Sequence, residues 1–171
     1  MSDALPSRRQ TLWVIPLAFA LHSAEEAATF PAYHDLLAER LPESLRAYAY
    51  DIQPHAIRIA LLWVTLFCFI AVLVATWRPT STTALSVVLT IQAVVGINIV
   101  WHLAVAALIV RGYTPGIVSA ICVNAPLSIY VFRRAAREHW VSPRAGRGIL
   151  FAAAVIHGPG LPAVLFALRG R

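Results

Sequence analysis

Long apolar stretches alternate with short polar joints along this chain, and each stretch is near the length needed to cross a bilayer. They cover about 11–30 (TLWVIPLAFALHSAEEAATF), 54–77, 82–110, 115–133 and 147–168. Some 20 residues rising ~1.5 Å each cross a ~30 Å hydrocarbon layer. The pattern predicts an all-α fold: a polytopic membrane helix bundle of about five transmembrane helices. Residues 1–10 read as a cytoplasmic N-terminal tail and 11–169 as a single transmembrane helical domain. No internal repeat interrupts it.

The stretch 31–53 has a different pattern. Tyr33, Leu37, Leu41 and Leu45 recur at spacing four, while Asp35, Glu39, Glu43 and Arg46 fall off that stripe. This is amphipathic spacing, broken at Pro42, and predicts a segment lying in the membrane interface.

Composition agrees with the pattern. Hydrophobic residues make up 59% of the 171, more than a soluble domain of this size can hide from water. The net charge of +6 comes from 14 arginines and no lysine. These sit at the ends of apolar runs rather than on one face, which argues against a nucleic-acid partner and for membrane orientation. Arg8 and Arg9 in the tail, Arg78 in the second joint, and Arg133, Arg134, Arg137, Arg144 and Arg147 around the fourth fall on one side of a five-span chain. That side is expected to be cytoplasmic, at an inner (plasma) membrane, with the C-terminus outside. Arg8–Arg9 before an apolar run also resembles a signal peptide, but the run ends in HSAEE without a small-x-small cleavage site. Cys68 and Cys122 lie within apolar runs and read as small hydrophobes.

The polar exceptions inside the spans carry the candidate chemistry. His22, Glu25 and Glu26 form an HxxEE motif. At ~100° per residue, Glu25 lies about 60° to one side of His22 and Glu26 about 40° to the other. Two adjacent carboxylates near hydrocarbon need a proton, a metal ion or an arginine from another segment. The third span adds Asn98 and His102, four apart on one face, with Gln92 on a broader sector. The fourth adds Asn124. The fifth adds His157 in HGPGLP, where Pro159, Gly160 and Pro162 are expected to break the helix. Counted from the outer ends, His22, His102, Asn124 and His157 fall within ~5 Å in depth. One polar site is expected, with His22, Glu25, Glu26 and His102 as catalytic groups and metal ligands. Asn98, Asn124, His157 and Gln92 would support it.

The ordered series His22-Ser-Ala-Glu25-Glu26, Asn98-Ile-Val-Trp-His102, Tyr113-Thr-Pro-Gly116 and Asn124-Ala-Pro126 resembles the HXXEE-domain integral membrane proteins of bacteria. The resemblance covers roughly 12–135. It implies a small helical membrane protein whose signature is the His and both Glu. His157 lies beyond it and rests on the residues alone.

The expected function is a membrane enzyme acting on a lipophilic, lipid- or terpenoid-like substrate, with one Zn or Fe ion on the His/Glu set. A metal-free isomerase or cyclase of a sterol- or terpene-like substrate is the second expectation, with one Glu protonated as general acid. Trp63, Phe67, Phe69 and Trp101 would then be candidate aromatic walls. A proton-coupled transporter and a non-catalytic membrane protein are further alternatives.

Overall fold

A computed structural model describes residues 6–41, 43, 46, 50 and 53–160. All regular structure among them is helical. The principal helices are α1 (Arg8–Arg40), α2 (Pro54–Trp77), α3 (Thr82–Val110), α4 (Ile117–Arg137) and α5 (143–160). Three of these, α2, α3 and α4, are long and apolar enough to cross a membrane. In α1 the polar groups His22, Glu25 and Glu26 dilute the apolar run. The fifth predicted span continues into residues 161–168, outside those described.

The helices begin where the sequence offers caps. Ser7 closes a capping box with Gln10 at the start of α1, Ser81 caps α3 and Ser142 caps α5. Each side-chain oxygen accepts a backbone N–H that has no partner within the helix. Pro54 opens α2, where its missing N–H costs nothing.

α1 departs from expectation. It runs unbroken through Pro31 to Arg40 and ends at Leu41, before Pro42. The separate interfacial segment expected from residue 31 is thus, for its first ten residues, a continuation of the first helix. At ~1.5 Å per residue a 33-residue helix is about 50 Å long, well beyond the hydrocarbon layer.

α3 is central and touches each of the other four helices; α1 packs along α2, and α5 along α3. The interior has two halves. One is apolar: Leu12 and Ile15 of α1, Cys68 and Val72 of α2, Leu85, Val88 and Leu89 of α3, Val131 of α4 and Ile149 of α5. The other holds buried His22, Ser23, His102, Thr114 and Ser119. The outer surface carries large apolar side chains, among them Leu62, Trp63, Leu108 and Phe151. Polar groups inside and apolar groups outside reverse the pattern of a soluble protein and suit a hydrocarbon solvent.

Two arginines tie the chain together at the apolar-core end. Arg8 donates to the Pro79 carbonyl (2.9 Å), joining the N-terminus to the second joint. Arg134 is buried and donates to the Pro6 carbonyl (2.5 Å), Thr11 Oγ1 (2.6 Å), Tyr130 Oη (3.2 Å) and Glu138 Oε1 (2.6 Å). Trp140 Nε1 donates to the other Glu138 oxygen (2.8 Å), and its ring lies under the guanidinium. The end of α4 is thereby tied to the start of α1. This lock gives Arg134 a structural role beyond orientation. The indole N–H and Arg134 hold the Glu138 carboxyl below the usual carboxylate range.

Candidate functional site

Four helices deliver the site: α1 brings His22 and Glu26, and in each of the other three the turn is disturbed nearby. α3 widens into a π-helix over Val105–Val110, three residues after His102. α4 does so over Ala120–Asn124 and α5 over Ile156–Gly160, which carries His157. Pro126 has no N–H for the Cys122 carbonyl, and Pro159 none for that of Val155, so the ladder loosens before each. In α5 this is the outcome of the expected break: up to Gly160 the helix widens and continues, and Pro162 lies outside the described residues.

His22 is almost wholly buried, at 1% exposure. Ser119 Oγ donates to the Gly116 carbonyl (3.3 Å), which leaves it a lone pair for His22 Nδ1–H at 3.0 Å. His22 Nε2 is then the bare nitrogen. Asn98 Nδ2 donates to it at 3.2 Å, and Asn98 Oδ1 accepts from His157 Nε2 at 3.1 Å. Asn98 thus links the two histidines, and His157 joins the site. The Glu26 carboxylate stands 3.7 Å from His22 Nε2, and the His102 ring meets the His22 ring edge-on, centroids 5.0 Å apart. His22, Glu26 and His102 each offer a ligand atom, and these atoms lie within 4.8 Å of one another. His102 Nε2 is buried and has no hydrogen-bond partner among the described residues. A buried polar atom left this way costs about 1–3 kcal/mol.

Glu25 takes a different place from the one expected. Its carboxylate accepts Ser119 N–H at 2.7 Å, Val118 N–H at 3.2 Å and Tyr113 O–H at 2.9 Å. It caps the N-terminus of α4, where free N–H groups and the positive end of the helix dipole favour an anion. The ~100° between the two glutamates on α1 sends them to different neighbours, so Glu25 stands outside the metal-ligating group. Neither carboxylate pairs with an arginine among the described residues.

Two further expectations are corrected. Gln92 donates to Ser128 Oγ at 2.7 Å and ties α3 to α4 away from the histidines. Asn124 is buried, and its Nδ2 has no hydrogen-bond partner among the described residues. The aromatic candidates also lie elsewhere. Trp63, Phe67 and Trp101 face outward and Phe69 packs on Trp13. Their large apolar surface is better placed against lipid than in a polar interior.

A family model described as "Protein of unknown function with HXXEE motif" matches residues 13–131, well over half of the chain. The chain belongs to this HXXEE family. No curated protein and no solved structure matches it.

The HXXEE motif therefore divides its labour. Its His and second Glu enter the buried cluster, and its first Glu organises the loop that completes it. That loop supplies residues the sequence reading did not assign to the site. Gly116 adopts φ +81, and a Cβ there would lie 2.8 Å from His22 Cε1 and 3.1 Å from His102 Cε1. Ser119 fixes the His22 tautomer. The signal was present in Tyr113-Thr-Pro-Gly116, but the motif alone does not say which side chain it meets.

Proposed function

We propose that this HXXEE protein is a membrane enzyme that holds one Zn or Fe ion on His22, Glu26 and His102 and acts on a lipophilic substrate. The observation that carries the reading is the convergence of three ligand atoms with His102 Nε2 unpartnered. Ligands of a tetrahedral Zn stand about 3.4 Å apart, given bonds of ~2.1 Å. The 3.7 Å between His22 and Glu26 is near that already. Three protein ligands with a fourth position open is the catalytic pattern, and a metal bound so supplies Lewis acidity and a water of lowered pKa. Ser119 keeps the His22 proton on Nδ1 and so leaves Nε2 free to bind. The apolar exterior suits a substrate drawn from the bilayer. We place the basic end in the cytoplasm, by the arginine asymmetry, with five spans at an inner membrane.

One observation favours the metal-free acid–base reading. The His22 Nε2 lone pair already accepts from Asn98 Nδ2. It can serve Asn98 or a metal, one at a time. With Asn98 bonded, a proton retained on Glu26 would face the two histidines.

Elemental analysis of detergent-purified protein separates these. On the metal reading, wild type and Glu25→Gln carry about one Zn or Fe per chain, while His22→Ala, Glu26→Ala and His102→Ala carry none. Metal absent from wild type purified without chelators, and not taken up when Zn or Fe is added, would sink it in favour of the acid–base site.

A further inference from the structure

A shallow, open groove of about 620 Å³ lies on the outer face of α4, and none of its lining residues belongs to the histidine cluster. Pro126, Ile129, Tyr130, Arg133, Ala136 and Arg137 line it. From Pro126 to Arg137 is eleven residues, about 16 Å along the helix axis. Its chemistry is graded. Pro126 and Ile129 are exposed and apolar and lie within the span, while the two arginines stand at its end.

The three arginines of this helix end are not equivalent. Arg134 turns inward, and Glu138 offsets its charge. Arg133 and Arg137 are exposed and form no hydrogen bond or ion pair among the described residues. They are four apart and so on one helix face, a turn beyond Tyr130. The Tyr130 oxygen accepts from Arg134, which leaves its own proton free to donate outward. Ala136 lines the groove beside Arg133 and Arg137 with a small side chain.

We infer that this groove binds an anionic phospholipid of the leaflet at the basic end. Its phosphate would sit between Arg133, Arg137 and the Tyr130 hydroxyl, and an acyl chain would lie along Ile129 and Pro126. Guanidinium forks match phosphate oxygens, and the grading from charge to hydrocarbon matches a lipid rather than a soluble anion. The site is independent of the proposed enzyme site.

The test is native mass spectrometry of the full chain in neutral detergent, titrated with phosphatidylglycerol or phosphatidylcholine. One phosphatidylglycerol per chain is expected to bind in preference to phosphatidylcholine. The double variant Arg133→Gln/Arg137→Gln should lower that preference on the order of tenfold or more. Ala136→Leu, which fills the groove and keeps every charge, should lower it similarly. Arg144→Gln/Arg147→Gln removes the same charge away from the groove and should leave it unchanged. Equal losses in the two double variants would mean diffuse attraction and overturn the site. An unaffected Ala136→Leu variant would overturn the groove, and full competition by inorganic phosphate at matched concentration would overturn the lipid as its occupant.

Discussion

Gly116 rests so closely on His22 that any side chain at this position would enter the imidazole, at 2.8 Å from Cε1. The contact is set by two things at once. The backbone at φ +81 lies in the left-handed region, and the His22 ring is held by Ser119 on Nδ1, the nitrogen nearest that position. Neither group can yield without moving the other. Gly116→Ala is expected to cost about 1–3 kcal/mol, from the left-handed backbone and the overpacking together. A thermal melt in detergent reads the loss. Metal content should fall in the same variant, because His102 Cε1 is also in the way; a variant as stable and as metal-loaded as wild type would refute the packing argument.

Glu25 and Glu26 should part company on substitution. Glu25→Ala removes the acceptor for Val118 N–H, Ser119 N–H and the Tyr113 hydroxyl, and should destabilise the chain by about 1–2 kcal/mol. Glu26→Ala removes no backbone cap and should leave the melting temperature close to that of metal-free wild type while abolishing metal uptake. Thermal melts of both variants, each with its metal content, decide it. The reverse pattern would show that the first glutamate of the motif is the ligand.

Ser119→Ala tests the tautomer. Without the Oγ acceptor, the His22 proton is no longer held on Nδ1, and metal affinity should fall about tenfold. Asn98→Ala is expected to go the other way or stay level, since it removes the donor that occupies His22 Nε2. Competition against a chromophoric chelator measures both. Equal losses in the two variants would contradict this ordering.

The Arg134 lock predicts an acid limit to stability. Hydrogen bonds from Trp140 and Arg134 hold the folded Glu138 carboxyl below its ordinary value of 4.5. A lowered carboxyl contributes stability that is complete above the unfolded value and is lost as pH falls through the folded one. Melts taken at falling pH should therefore drop below about pH 4.5 in wild type, and less steeply in Glu138→Gln. Arg134→Met should cost about 1–2 kcal/mol at neutral pH, because it leaves the Pro6 carbonyl and buried Thr11 Oγ1 without their donor, while the exposed Glu138 carboxylate turns to water. A melt unchanged in Arg134→Met would show the network to be ornamental.

Much of the architecture was readable from residues alone. The second helix, Pro54–Trp77, and the third, Thr82–Val110, have the bounds their apolar runs predict, because hydrocarbon and a Pro or Ser start signal leave little choice. The residues of the cluster were also legible, since a His or Glu in an apolar run must find a polar partner. Periodicity put His102 and Asn98 on one face, and both are at the site.

Other features depended on the packing of the helices. Periodicity places Glu25 and Glu26 on two flanks of one helix, but only the docking of α4 makes one flank a cap and the other part of the cluster. Asn124 and Gln92 are buried as expected, yet Gln92 bonds Ser128 instead of the histidines, because depth fixes height in the bundle and not azimuth. The π turns, the Gly116 contact and the inward turn of Arg134 arise where two or more helices meet. The sequence determined which groups had to be buried and roughly how deep. The tertiary structure decided which of them meet, because a partner across a helix interface is chosen by rotation and crossing, which no spacing within one segment encodes.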